Sequence, residues 1–401
     1  MRPLHRLALG ALTVAYALGP MATQIVTPAV PFVHRDFAIS MAAAQTLISL
    51  SFATIALMTL IYGPISDRFG RRPVILTGTA LFCTGSLVAA LAPTPEVLIG
   101  ARLVQAAGSS AGLVLTRTII HDVYGRERSG QVIAYLTMVM IFVPMLSPGV
   151  GGILLDHVGW RAIFVVCMLF GVLALSLLAL YLPETNARRA TQLGVGQTLR
   201  SFGSLLRDGR YLGPALFFGW VMASFFATQA AIPYLIVEVL GGSATEYGVW
   251  FGIACAFYIA GNYVSGRWGH RVPRGTLILL SGAGCLATAF AGLVAANLLE
   301  WSTTLLFVPT IVLSFLGALA IAPAQAEAVA AQPQCSGSAS GLMSGMQMMI
   351  GAAVVQVIGF THDGTPYPMF TALIVCTLMG LLGMSGAWVT RPRPAASAAA
   401  G

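Results

Sequence analysis

The amino-acid sequence predicts an all-α membrane protein of about twelve transmembrane helices, arranged as two pseudo-symmetric six-helix halves. Three observations predict it. Charged residues make up only 8% of the chain and hydrophobic ones 57%, whereas a soluble globular chain carries about 25% charged residues. The charge is also confined: stretches such as Phe37–Ser66, Ala162–Pro183 and Gly364–Thr390 contain no Asp, Glu, Lys or Arg. Each is long enough for the roughly 20 residues that one spanning helix needs. Finally, a short basic turn occurs twice, as Ser66-Asp67-Arg68-Phe69-Gly70-Arg71-Arg72-Pro73 and as Ser265-Gly266-Arg267-Trp268-Gly269-His270-Arg271-Val272-Pro273.

Continuous runs rich in Leu, Ala and Met argue for helices, because a membrane barrel would show short alternating segments. The first helix, 7–31, follows Arg2 and Arg6. Its apolar run is too long for a signal peptide and meets no convincing cleavage site, so an uncleaved span is expected. Helix two, 41–63, leads into the first basic turn, and helix three, 74–93, leaves it after Pro73. Helices four and five are expected at 96–120 and 129–154, separated by Asp122, Arg126, Glu127 and Arg128. Helix six, 161–183, ends before Glu184. Residues 184–210 carry Arg188, Arg189, Arg200, Arg207 and Arg210 and form the one long polar connection. It separates an N-terminal half, 1–183, from a C-terminal half, 211–401. The second set follows at 211–237, 245–265, 275–297, 301–325, 338–360 and 367–389.

Arginine placement sets the orientation. With both termini in the cytoplasm, the inner segments hold nearly all the arginines and the outer ones only Arg35 and Arg161. The net charge of +8 therefore reflects topology, and nucleic acid is excluded as a partner. The six cysteines are scattered, with no CxxC and no metal spacing, so neither a disulfide nor a metal is expected. No P-loop, HExxH or GxSxG occurs, which argues against an enzyme and against a cofactor.

In the first basic turn, glycine at 63 and 70 permits close approach and a tight bend, and Arg68, Arg71 and Arg72 hold it at the membrane face. Asp67 is its single acid. The run from Gly63 to Pro73 resembles the signature loop of the major facilitator superfamily. Arg102-Leu103-Val104-Gln105-Ala106-Ala107-Gly108 resembles that superfamily's helix-four motif, and Pro148-Gly149-Val150-Gly151-Gly152 its helix-five antiporter motif. Pro323 to Gln347 is similar to the bicyclomycin and chloramphenicol-resistance branch of drug:proton antiporters. The resemblance implies a gate in which Asp67 pairs with Arg71 and Asp122 and meets the start of helix eleven near Gly337 or Ser338. For Pro148, Gly149, Gly151 and Gly152 it implies a role in helix-interface geometry and in preventing leak, which coincides with close small-residue packing.

Arg102 stands inside helix four, where a charge faces a cavity or polar network, or else snorkels to the interface. Phe225, Phe226 and Gln229 on helix seven line a substrate cavity or form a packing face. Gln24, Tyr258, Asn262 and Gln347 either bind substrate or bridge helices. Members of the suggested branch usually carry an acid in helix one, where this chain has Gln24. Glutamine cannot titrate, so the proton carrier is sought in Glu238, then in Asp67 and Asp122 acting with the gate. The expected function is secondary-active efflux of a small drug-like or metabolite molecule by alternating access, in exchange for protons, across a bacterial inner membrane. The alternatives are a dedicated exporter of one endogenous metabolite, such as a siderophore, and a non-transporting sensor or assembly protein.

Overall fold

The computed structural model describes residues 5–186, 195–332 and 336–389, and every regular element among them is helical. Arg2, Arg188, Arg189, Cys335, Arg391 and Arg393 lie outside the described residues, as do the side chains of Arg126, Glu127 and Arg128. Eleven helical stretches among the described residues are long and apolar enough to cross a bilayer.

The first span is α1 (Arg6–Val26) continued by α2 (Val30–Asp36). Between them Thr27–Ala29 tightens into a 3-10 turn around Pro28, which has no N–H to give the helix. Helix α3 (Met41–Phe69) starts where the Ser40 hydroxyl accepts the Ala43 amide, a side-chain cap. It ends at Gly70, whose φ of +102° strains any residue with a Cβ. Helix α4 (Arg71–Ala90) then runs back across.

Residues expected to form helices four and five share one helical segment, α5 (Pro95–His157). A straight helix of 63 residues would reach about 95 Å. Yet Arg102 touches the carbonyl of Ala22, and Gly151 packs on that of Ile25, one turn away on α1. Tyr16 packs with both Ile120 and Leu136. The segment therefore folds back between these two residues, and its arms run antiparallel, as two spans must.

Helix α6 (Trp160–Tyr181) completes the first set. The polar connection contains a short helix that the sequence reading did not foresee, α7 (Val195–Leu206). Leu205 is buried against Tyr211 with Phe202 beside it, so α7 lies on the second set through one apolar edge. That set comprises α8 (Gly209–Tyr234), α9 (Ala244–Trp268), α10 (Arg274–Leu298), α11 (Thr303–Ala331), α12 (Ser336–Thr361) and α13 (Tyr367–Val389). Helix α8 continues into a π turn, Leu235–Val239, just after Pro233. The turns after α3 and α9 define an arginine-rich face. The connections after α2 and α5 lie on the opposite, arginine-poor face.

Apolar burial cannot hold helices together in lipid as it does in water, so close backbone approach carries the packing. A Cβ on Gly112 would lie 2.1 Å from the Ala15 carbonyl oxygen of α1, and one on Gly108 2.3 Å from the Phe82 amide of α4. Gly70, lacking a side chain, cannot cap α4. Glu184, beyond α6, caps it instead, accepting the Arg71 amide at 3.0 Å and the Arg72 amide at 3.3 Å. Burial pushes the Glu184 carboxyl up, but the amides of Asn186, Arg71, Arg72 and Thr185 outweigh that and hold it below its usual value.

Two outcomes follow. Gly112→Ala should destabilise the protein in detergent by about 1–3 kcal/mol through overpacking, whereas Gly100→Ala, with open space around it, should not; thermal unfolding compares them. Glu184→Ala should cost about 1 kcal/mol, as loss of a helix cap does. Because the folded carboxyl is shifted down, that stabilisation is present above the ordinary glutamate value of about 4.3. It fades as pH falls through the lower folded value, so the melting difference from wild type should shrink in acid.

Candidate functional site

At the arginine-rich face, Arg71 gathers the signature turn. Its guanidinium forms an ion pair with Asp67 at 2.6 Å and donates to Ser66 Oγ at 2.5 Å and to Asp122 of α5 at 3.1 Å. The side chain is only 11% exposed, so both carboxylates act on a weakly solvated cation. Arg72 donates to the Ala179 carbonyl at 2.7 Å, and Arg68 lies over the Phe69 ring. The expected contact of Asp67 with the start of helix eleven is absent: no hydrogen bond or ion pair joins Asp67 to α12 among the described residues. A Cβ on Gly337, Gly341 or Gly345 of α12 would meet open space, whereas Gly359, at the other end, packs on Ala42 and Gln45 of α3. Among the described residues the start of α12 stands clear of the first set at this face, which is the physical reason the contact is missing.

The two sets meet at the arginine-poor face. Several hydrogen bonds and an ion pair join them toward that side. Gln45 donates to the Ala230 carbonyl at 2.7 Å, Ser49 to Gln356 at 2.7 Å, and Gln356 to the Ala42 carbonyl at 3.0 Å. Asp156 accepts from Ala244 and Thr245. Glu238 pairs with Arg35 at 3.0 Å, although the N–H direction misses the oxygen, so the contact is coulombic. The Tyr234 ring lies between His34 of α2 and His362 beyond α12. Burial pushes the His362 imidazole down and outweighs the neighbouring Asp363 carboxylate, which raises it. Gly149 packs directly on Gly248, and Gly152 on the Ala244 carbonyl. Pro148 is buried in the same seam, while Gly151 faces α1.

Between the open face and this seal lies a cavity of about 360 Å³, lined by α1, α3, both arms of α5, α8, α9 and α12. Gln24, Phe225, Phe226, Tyr258 and Gln347 are on its wall, with Phe52, Phe251, Met145, Met222 and Met348. No Asp, Glu, Arg or His lines it among the described residues. The size and apolar wall suit a small, largely apolar molecule. Gln24 Oε1 has no hydrogen-bond partner, an acceptor left for a guest.

Three expected wall residues are elsewhere. Arg102 is 2% exposed and does not reach the cavity. It donates to Gln105 Oε1 at 2.6 Å and to the Ala22 and Leu47 carbonyls at 3.4 Å, tying α5 to α1 and α3. Gln105 passes the link to Ser86 of α4 at 2.8 Å. Of the alternatives for Arg102, the geometry fits the polar network, since the residue is 2% exposed and its donors go to Gln105 and to helix carbonyls. Gln229 is buried 5% exposed, off the wall, and Asn262 donates to its own helix at the Tyr258 carbonyl. Sequence reasoning missed Glu184 and Asp156 as binding groups. A carboxylate beside a turn signals a cap only once its partner helix is known.

Residues 12–356 match the family model of the Major Facilitator Superfamily. The chain is 30% identical to an uncharacterized MFS-type transporter, YdgK, of Bacillus subtilis (strain 168), covering 95% of this chain and 96% of that protein. It is also 30% identical to Multidrug resistance protein D of Escherichia coli (strain K12), covering 92% of each. Its fold is similar to that of a bacterial homolog of the human lysosomal transporter Spinster in an inward-facing, unoccupied conformation, with TM-score 0.75, 16% identity and 95% and 96% of the two chains covered. With two helical sets enclosing a cavity sealed at one face, and a family match over most of its length, this chain is a multi-span transporter belonging to the major facilitator superfamily.

Proposed function

We propose that this chain exports small, neutral, largely apolar molecules by alternating access. The observation that carries the reading is the uncharged cavity between the two sets, closed at one face and unsealed at the other. Arginine distribution supports a cytoplasmic arginine-rich face with both termini inside, in a bacterial inner membrane. On that assignment the structure is inward-open, and substrate enters from the cytoplasm. Residues 1–183 and 211–401 move as the two halves, joined by 184–210. The similarity to Multidrug resistance protein D supports a drug-like cargo.

Closing the inner face would bring Asp67 to the start of α12, near Gly337 and Ser338. A carboxylate there is favoured by the helix dipole, so the Asp67–Arg71–Asp122 group, with Arg68, Gly70 and Arg72 shaping its turn, serves as the inner gate. Proton counterflow drives the cycle. Glu238 is the leading carrier, since it is a carboxylate of the outer seal, 20% exposed and paired across the halves with Arg35. Neutralising it removes that attraction, and Asp67 and Asp122 act in the same sense at the inner gate.

Proteoliposomes holding the purified protein with its arginine-rich face outward and an acidic lumen should accumulate neutral aromatic compounds. Complete absence of gradient-driven movement across a panel of such compounds would sink the reading. Gln24→Asp, placing a carboxylate on the wall, should shift preference toward cationic compounds by about tenfold or more, as a charge-assisted contact permits. An unchanged preference would mean that Gln24 does not face the cargo. Glu238→Gln should abolish proton-driven accumulation while leaving substrate binding within about twofold. Intact proton-driven transport in this variant would remove Glu238 as carrier.

A further inference from the structure

Asp156 ends the second arm of α5, in the first half, and α9 begins the second half. The Asp156 carboxylate accepts the Ala244 amide at 3.2 Å, the Thr245 amide at 3.0 Å and the Thr245 hydroxyl at 2.6 Å. Ala244 and Thr245 are the first two residues of α9. Their amides have no partner within the helix, and the dipole there favours negative charge. Ser243 caps α9 from within, but its hydroxyl takes the Glu246 amide and leaves these two.

The carboxylate gets there because nothing bulky intervenes. A Cβ on Gly152, one turn before Asp156, would lie 2.4 Å from the Ala244 carbonyl oxygen and 2.7 Å from the Thr245 Cα. A Cβ on Gly248 would lie 2.5 Å from the Gly149 Cα. The small residues of the helix-five motif thus form a backbone-to-backbone seam that ends in the Asp156 contact.

The geometry points to Asp156 as the outer latch of the transport cycle: a carboxylate of one half that caps a helix of the other and holds the arginine-poor face shut. It is the counterpart of Asp67. Each acid stands at the end of a first-half helix, α3 or α5, on opposite faces. In this structure the Asp156 cap is made and Asp67 has no contact with α12. Rocking the halves to open the arginine-poor face breaks the one cap as it makes the other, so the balance between the two open states is set by a pair of competing caps. Asp156 is a positioning residue, since it does not line the cavity.

The inference rests on the alternating-access reading, and the test separates the two. In a cysteine-depleted background, one pair of spin labels, at Val158→Cys and Leu299→Cys, reports the arginine-poor mouth. A second pair, at Tyr181→Cys and Trp268→Cys, reports the arginine-rich mouth. Dipolar distances in liposomes give the population of each open state. Asp156→Ala should raise the ratio of outward-open to inward-open protein about fivefold, the ratio that loss of a typical cap produces. Asp156→Asn, which keeps an acceptor, should restore most of the wild-type ratio. Thr245→Val, which removes one of the three bonds and leaves the backbone intact, should give a smaller shift in the same direction. Asp67→Ala should shift the ratio the opposite way, and Asp67→Ala/Asp156→Ala should return it toward wild type, which general destabilisation would not do. If Asp156→Ala and Thr245→Val leave both distance distributions unchanged while Asp67→Ala moves them, the latch is overturned and alternating access stands. If only one state is ever seen, with every variant and with substrate, both readings fall.

Discussion

No water reaches the hydrocarbon core to satisfy a peptide group, and the rest of this structure depends on that. It makes every described span helical, and it collects unpaired amides and carbonyls at helix ends, where the membrane faces begin. The caps found there are therefore structural joints. Ser40 caps α3 from within its own chain segment, while Glu184 caps α4 from beyond α6 and Asp156 caps α9 from the other half. The same constraint governs Arg102. Its guanidinium is kept from water and reaches no carboxylate; an amide oxygen and two helix carbonyls take its donors. A buried cation so held fixes three helices to one another, which makes the first half a unit that can move as a body.

Small residues bring backbones together both within and between the halves, but the polar links differ. Within the first half, Gly108 and Gly112 bring backbones to contact distance and Arg102 links three helices. Between the halves, the polar contacts described above are single hydrogen bonds, the Asp156 cap and one partly exposed ion pair. An exposed pair contributes about 0–1 kcal/mol, and a cap about 1 kcal/mol. Such contacts can be exchanged for others at the opposite face at small net cost, as a two-state rocking motion requires. Bundles joined by weak, replaceable joints around an uncharged cavity are a physical basis for carrying a neutral molecule across without opening a continuous path.

The charge-free stretches by themselves determined that the chain lives in a bilayer and where most of its spans lie, because span length and solvation in lipid are local properties of a segment. The turn from Gly63 to Pro73 was legible for the same reason, and its resemblance to a family signature named Arg71 and Asp122 as the partners of Asp67; in the structure Arg71 pairs with both acids, which do not contact each other directly among the described contacts. Local reading also found Gln24, Phe225, Phe226, Tyr258 and Gln347 as wall candidates, but it could not separate them from Arg102, Gln229 and Asn262. The direction a side chain faces depends on which helix stands opposite. Only the tertiary structure decided that Arg102 belongs to a helix network, that α5 doubles back on itself, and that α7 exists within the polar connection. It alone decided that Glu184 caps a helix 113 residues away and Asp156 one 88 residues away. Caps of this kind are set by the meeting of distant segments, and that meeting is decided by how small residues let helices approach, which no local pattern of charge or hydropathy records.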